Sequence, residues 1–228
     1  MWRFSYKNNM IGQRMTSSAA EFLRLTRDTP LQVCIPTFES SGSTPEKYGY
    51  RGHMYADRDV RSARHIEHLA CQAGSIVELI SPDRALDPVL PLESSIVFIG
   101  SRSNPATNEA LESGKFDDIL SFSYGDDWVV ETKSGNRYTI PDPSKLDRDT
   151  YSKQTDYGVV AYSLGGGSAK IIVAGLGGRA TEGCGRFLEK HWEELNDRAD
   201  GSSSIAVILK FPPPVSPEGY QIVEYVTN

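Results

Sequence analysis

Short, nearly unbroken apolar runs alternate along this chain with stretches in which apolar side chains recur every three or four positions. That rhythm predicts buried strands alternating with helices, the pattern of an α/β sheet. The runs fall near 31–35, 75–80, 95–100, 157–162 and 170–174. Between the first two, Val60, Ala63, Ile66, Leu69, Ala70 and Ala73 share one helical face. Asp57 or Asp59 suits the start of that helix, and Gly74 suits a left-handed C-cap. Residues 31–80 therefore read as a strand-helix-strand unit, which closes into a parallel sheet. Ile96-Val97-Phe98-Ile99 is apolar at every position, as expected of a strand covered on both faces. Asn104 is a good N-cap and Pro105 fits a first helical residue, predicting a helix to about Leu111 that Gly114 stops. A last helix is expected from Glu182 to about Leu195, with Cys184, Phe187, Leu188, His191, Trp192 and Leu195 as its apolar stripe.

The remaining pattern modifies this frame. Trp128–Thr132 and Arg137–Ile140, joined by Lys133-Ser134-Gly135-Asn136, read as a β-hairpin inserted at about 120–140. Gly165-Gly166-Gly167 marks a turn, and Pro212–Pro214 with Gly219 separates two strands, Ser204–Phe211 and Gln221–Val226, expected as an antiparallel edge. Residues 1–30 read as a lead-in. Thr16-Ser17-Ser18 can cap a short helix with Ala19, Ala20, Phe22 and Leu23 on its apolar face, and Pro30 ends it. A Ser/Gly/Pro-rich loop runs from Ser40 to Gly52, and a Pro/Asp-rich linker from Ser81 to Pro91. The expected fold is one Rossmann-like three-layer α/β sandwich over 31–228, with a mostly parallel sheet.

At 228 residues the chain can bury a substantial core, and 39% hydrophobic with 24% charged residues is ordinary globular composition. The net charge of −6 argues against bulk nucleic-acid binding. No apolar run reaches membrane-spanning length. The first residues lack the apolar core of a secretory signal, so cytoplasmic residence is expected. Cys34, Cys71 and Cys184 are few and far apart, which disfavours a disulfide framework or a cysteine-rich zinc site. No cofactor is implied. The lead-in is expected either to dock on the main domain or to join a partner, whether a second copy or a fused domain.

The chemistry concentrates in two strand-loop-helix junctions. One is Gly100-Ser101-Arg102-Ser103-Asn104-Pro105, and the other is Gly175-Leu176-Gly177-Gly178-Arg179-Ala180-Thr181. Loops at the carboxyl ends of parallel strands line the crevice where open α/β sheets bind ligands. Helix starts offer unpaired amides, glycine permits close approach, and Arg102 and Arg179 can grip an oxyanion. The expected ligand is phosphate- or sugar-bearing, with Gly100, Ser101, Arg102, Ser103, Asn104, Gly177, Gly178, Arg179 and Thr181 around its anion. Asp156, entering the strand at 157–162, is a candidate ribose contact or a strand-start cap. Neither loop carries a Walker A lysine or a complete G-x-G-x-x-G pattern.

Val97-Phe98-Ile99-Gly100-Ser101-Arg102-Ser103-Asn104-Pro105 resembles the V-F-x-G-S-x-x-x-N-P opening of the Lonely Guy type phosphoribohydrolases. Gly177-Gly178-Arg179-Ala180-Thr181 is similar to their G-G-x-G-T phosphate loop. The wider superfamily, abbreviated SLOG, includes cytokinin-releasing enzymes and nucleotide-sensing domains of bacterial conflict systems. The resemblance covers these two loops and the strands before them. It implies a nucleotide-like ligand and a role in sensing, regulation or defence. Here Ala180 replaces the third glycine, Glu182 follows Thr181 directly, the central arginine-bearing motif has no counterpart, and the unit before Gly100 is extra. Binding survives these departures better than catalysis. The alternatives are a phosphoribohydrolase or nucleoside-processing enzyme cleaving an N-glycosidic bond, with Glu182 or Asp156 assisting water, and a protein-interaction module with a vestigial site.

Other residues carry weaker signals. Asp57 and Asp59 either face the crevice or cap their helix. His65 and His68 stand on one helical face, as a metal pair or as a solvated surface. His191 reads as a core-edge residue. Cys184, near a helix start, is either a thiol of lowered pKa or a packed small side chain. Trp128, Arg137 and Tyr138 either stack on a base or pack the hairpin, and Pro212–Pro214 is a partner segment or a rigid loop.

Overall fold

The computed structural model describes residues 17–25, 29–37, 55–87, 94–112, 116, 118–199 and 203–228. The loop read at Ser40 to Gly52, the stop at Gly114 and the first sixteen residues of the lead-in lie outside the described residues. The chain is α/β. Strand β1 (Leu31–Cys34), helix α2 (Asp57–Gln72) and β2 (Val77–Ile80) form the expected strand-helix-strand unit, preceded by the short helix α1 (Ser17–Phe22). Then come α3 (Pro82–Ala85), β3 (Ile96–Ile99), α4 (Pro105–Ala110), and three strands of a second sheet, β4 (Leu120–Tyr124), β5 (Asp127–Thr132) and β6 (Arg137–Pro141). After α5 (Arg148–Ser152) the main sheet resumes with β7 (Asp156–Gly165) and β8 (Ser168–Gly175). The chain ends with α6 (Gly178–Arg198), β9 (Ser204–Phe211) and β10 (Gln221–Thr227).

The main sheet has seven strands in the order β10-β9-β7-β8-β3-β1-β2. β1 pairs in parallel with β2 and β3, and β3 in parallel with β8. β7 runs antiparallel to β8 and to β9, and β9 antiparallel to β10. The sheet is thus mixed rather than mostly parallel. The difference lies in the strand expected at 157–162. Only Gly166 and Gly167, both at positive φ, separate β7 from β8. A two-residue turn of that kind makes a hairpin, whereas a parallel crossover takes a dozen residues or more. The C-terminal antiparallel edge is present as β9 and β10.

Alternation along each strand divides the core between two faces. Val97 and Ile99 of β3 and Ile171 and Val173 of β8 face α1, α2 and α6, where Phe22, Ile66 and Phe187 complete the packing. Ile96, Phe98, Ile172 and Ala174 face the other way, against Ala106 of α4 and Val130 and Ile140 of the second sheet. Helices thus cover one face, and a small antiparallel sheet with α4 covers the other. The insertion at about 120–140 is a three-stranded meander rather than a hairpin. Its first strand, Leu120-Ser121-Phe122-Ser123-Tyr124, has exposed serines between more buried apolar positions. The lead-in helix docks on the helical face, where Phe22 stacks on Tyr162 at 4.6 Å and the Tyr162 hydroxyl donates to Phe22 O.

Two helix starts differ from expectation. α2 begins at Asp57 with Ala56 in the N-cap place, so neither aspartate caps it and both lie in the first turn. α6 begins at Gly178 rather than Glu182, because Thr181 N already donates to Gly177 O. Gly74 takes the expected left-handed φ of 75° behind α2.

Candidate functional site

The helix that follows β1, α2, packs on one face of the sheet and the helix that follows β3, α4, on the other. Adjacent parallel strands whose connections diverge in this way open a crevice at their carboxyl ends. β8 is the next parallel neighbour, so the two candidate loops stand side by side on one rim. Gly100 N donates to Val173 O, and Ser101 Oγ donates to Gly175 O at 2.8 Å. Gly100 needs its glycine for a φ of +87°. Asn104 caps α4 by accepting from Ala106 N, while its Nδ2 donates to Ile99 O and Cys34 O. Asn104 is fully buried and stitches β1 to β3.

The start of α6 is held by the chain's own anion. Asp156, fully buried, accepts at Oδ1 from Gly177 N (3.1 Å) and Tyr157 N, and at Oδ2 from the Tyr151 hydroxyl (2.6 Å). Burial pushes its carboxyl up to about 6, against the pull of those donors and of the Ala180 amide. Thr181 Oγ1 accepts from Gly175 N and donates to Gly177 O, closing the turn. A Cβ on Gly177 would lie 2.0 Å from the Tyr151 hydroxyl, so this glycine serves internal packing. A Cβ on Gly178 would meet only Arg58 carbons at ordinary contact distance. Gly178 is exposed, and the packing around it does not demand a glycine.

Of the sequence-derived set, then, Ser101, Asn104, Asp156, Gly177 and Thr181 are engaged in building the rim. Arg102, Ser103 and Gly178 are exposed on it, and Arg179 is half-buried. The loops meet, but their guanidinium groups diverge. Arg102 lies over the Trp128 ring at 5.1 Å. Arg179 lies over Tyr151 at 5.6 Å and donates to Val215 O. Glu182 is buried and ion-paired with Arg58 of α2. Asp59 is 5% exposed, one turn before Ser62 on the inward face of α2, and Ser62 itself bonds Thr181 O. Among the described residues no group donates to the Asp59 carboxyl, and burial pushes it up to about 6.

Two further polar side chains flank the β3 loop: Tyr124, which the sequence did not single out, and Trp128, read there as stacking on a base or packing the hairpin. Tyr124 and Trp128 pair across β4 and β5, with their rings edge to face at 5.6 Å. Among the described residues the Trp128 indole Nε1 is buried and finds no acceptor, and the buried Tyr124 hydroxyl has only the Ser101 hydroxyl beside it. Burial pushes the Tyr124 hydroxyl up to about 12, with neighbouring Ser101 and Arg102 opposing. The signal that could have found Tyr124 is its place opposite Trp128 in the insertion.

The weaker candidates have structural settings. Cys184 is fully buried with Sγ 3.6 Å from Ala174 O. Burial, reinforced by Asp156, pushes its thiol well up, opposite to a helix-activated cysteine. Cys34 is likewise pushed up to about 12 by burial. His65 Nδ1 and His68 Nδ1 both contact the Glu189 carboxylate across the α2–α6 interface. Among the described residues, no group of three His, Cys, Asp or Glu side chains is arranged to hold a metal. His191 bonds the Tyr220 hydroxyl, and Tyr138 bonds Glu224 of β10. Among the described residues no helix is long and apolar enough to cross a membrane. In comparisons with known proteins, no family model and no curated protein matches the chain.

Proposed function

We propose that this Rossmann-like domain binds or senses a small, nucleotide-like ligand bearing a phosphate or comparable oxyanion, held at the carboxyl rim of β1, β3 and β8. The observation that carries the reading is the pairing of β3 with β8, joined by the Ser101–Gly175 bond. It makes one rim of two loops that leave Arg102, Ser103 and Gly178 exposed. The buried carboxyl of Asp59, to which no described residue donates, supplies an acceptor for sugar hydroxyls at the same end. The resemblance of both loops to the SLOG superfamily points the same way. Binding is favoured over N-glycosidic hydrolysis, because Glu182 is tied to Arg58 and Asp156 spends both oxygens on the chain. The interaction-module reading has its own support in exposed apolar residues on the edge strands and beside them, Ile76 and Leu79 at β2 and Ile222 and Val223 on β10.

Thermal denaturation with nucleoside monophosphates and ribose 5-phosphate tests the proposal. A ligand present at a hundred times its Kd stabilises the folded state by about 2.7 kcal/mol. For a domain of this size, that raises Tm by about 5–10 °C. The shift is expected with at least one of these compounds and is expected to vanish in the Arg102→Ala/Arg179→Ala double variant. Absence of any shift overturns the reading, and release of free base from a monophosphate replaces it with the hydrolase.

A further inference from the structure

We infer that the ligand's oxyanion is received on the β3 side of the rim, by the indole N–H of Trp128, the hydroxyl of Tyr124 and the guanidinium of Arg102, and not at the start of α6. This inference rests on the reading that an oxyanion ligand binds at the rim, and it locates that group.

The start of α6 is already supplied. The Asp156 carboxylate takes the Gly177 amide and the Tyr151 hydroxyl, which are donors that a phosphate would otherwise use. A second anion there would meet a like charge in a buried setting. Arg179 is turned aside, spending a donor on Val215 O and its planar face on Tyr151.

The β3 side shows the opposite balance. An indole N–H and a guanidinium only donate, and a phenol donates readily. Among the described residues neither the Trp128 N–H nor the Tyr124 O–H reaches an acceptor, since the Ser101 hydroxyl beside Tyr124 donates elsewhere, and buried donors left so are rare in folded proteins because each forgoes its bonds to water. Among the described residues Arg102 forms no hydrogen bond or ion pair. Asp142, the acid whose charge it influences, accepts instead from the Ser144 amide and hydroxyl. Ser101, beside Tyr124, has its hydroxyl committed to Gly175 O. Donors without acceptors, next to a guanidinium that lies over the Trp128 ring but keeps its N–H groups unspent among the described residues, complement an acceptor-rich, negatively charged group. A phosphate monoester or inorganic phosphate fits that description, and a neutral base does not.

Calorimetric titration with AMP and with inorganic phosphate separates the outcomes. Trp128→Phe, Tyr124→Phe and Arg102→Ala are each expected to weaken AMP binding tenfold or more, and Arg179→Ala by less than twofold. Tyr124→Phe keeps the ring and removes only the hydroxyl, so its unliganded Tm is expected to hold or rise, whereas Trp128→Phe also deletes the five-membered ring and is expected to lower the unliganded Tm modestly. The Trp128 indole N–H resonance, identified by its loss in Trp128→Phe, is expected to shift on adding either compound. Binding lost in Arg179→Ala but retained in Trp128→Phe would overturn the inference and leave the rim reading standing. An unmoved indole resonance despite binding would do the same, assigning these donors to an ordered water only. A wild-type chain that binds neither compound overturns both.

Discussion

Asp59 is the residue at which fold and function pull apart most visibly. A carboxyl 5% exposed to which no described residue donates has lost most of its hydration, which disfavours its charged form. Its pKa stands at about 6 against an ordinary 3.8, and burial is the cause. The folded state therefore holds this proton more tightly than the unfolded chain does. The stability linked to the group is complete below about pH 4 and is lost as pH rises through 6. A rise of that size corresponds to at most about 3 kcal/mol. Asp59→Asn, which imitates the protonated acid, is expected to be more stable than wild type at pH 8 by about 1–3 kcal/mol. That advantage should disappear near pH 4. Chemical denaturation of both proteins across this range checks it, and an equal gap at both ends would mean that Asp59 is not held up by burial. Asp156 shows the alternative solution, a buried carboxyl whose oxygens are bonded to the amides and hydroxyl it organises.

Among elements, the small sheet is tied to the C-terminal edge through one carboxylate. Glu224 of β10 accepts from Thr132, Ser134 and Tyr138, which lie on β5, on β6 and in the turn between them. Burial acts to raise its pKa, but these donors hold it below the usual 4.5. Glu224→Ala is expected to cost about 1 kcal/mol, the modest net worth of hydrogen bonds at a half-exposed position. The loss should be full above pH 4.5 and shrink as pH falls through the folded pKa, and urea unfolding at pH 7 and pH 3 measures it. Equal losses at the two pH values would mean that the ionised form of Glu224 contributes nothing beyond the neutral acid. The parallel strands, α2, the Asn104 cap and the Gly74 terminus were legible because each is written in local periodicity or in one residue's preference. β4 was not, because two exposed serines dilute its short apolar alternation. The early start of α6 and the engagement of Asp156 were hidden for another reason. They depend on Gly177 meeting a carboxyl 21 residues away, and no local pattern records that contact. The Arg58–Glu182 pair spans 124 residues and was equally invisible. For the site, adjacency of the two loops followed from the strand pattern, whereas the separate directions of Arg102 and Arg179 depended on which aromatic rings lay beside them.

For the molecule as a whole, the division of labour is between two faces and one rim. Helices and the second sheet exclude water from either side of the main sheet, and the carboxyl ends of β1, β3 and β8 are left to carry exposed polar groups. The most direct test of that arrangement is a ¹H–¹⁵N spectrum of the labelled protein titrated with AMP. The account predicts saturable shifts concentrated on Ser101, Arg102, Ser103 and Gly178 and on the Trp128 indole, with β2 and β10 unmoved. A spectrum that does not change, or one whose shifts gather along Ile76–Leu79 and Ile222–Val223, would contradict it.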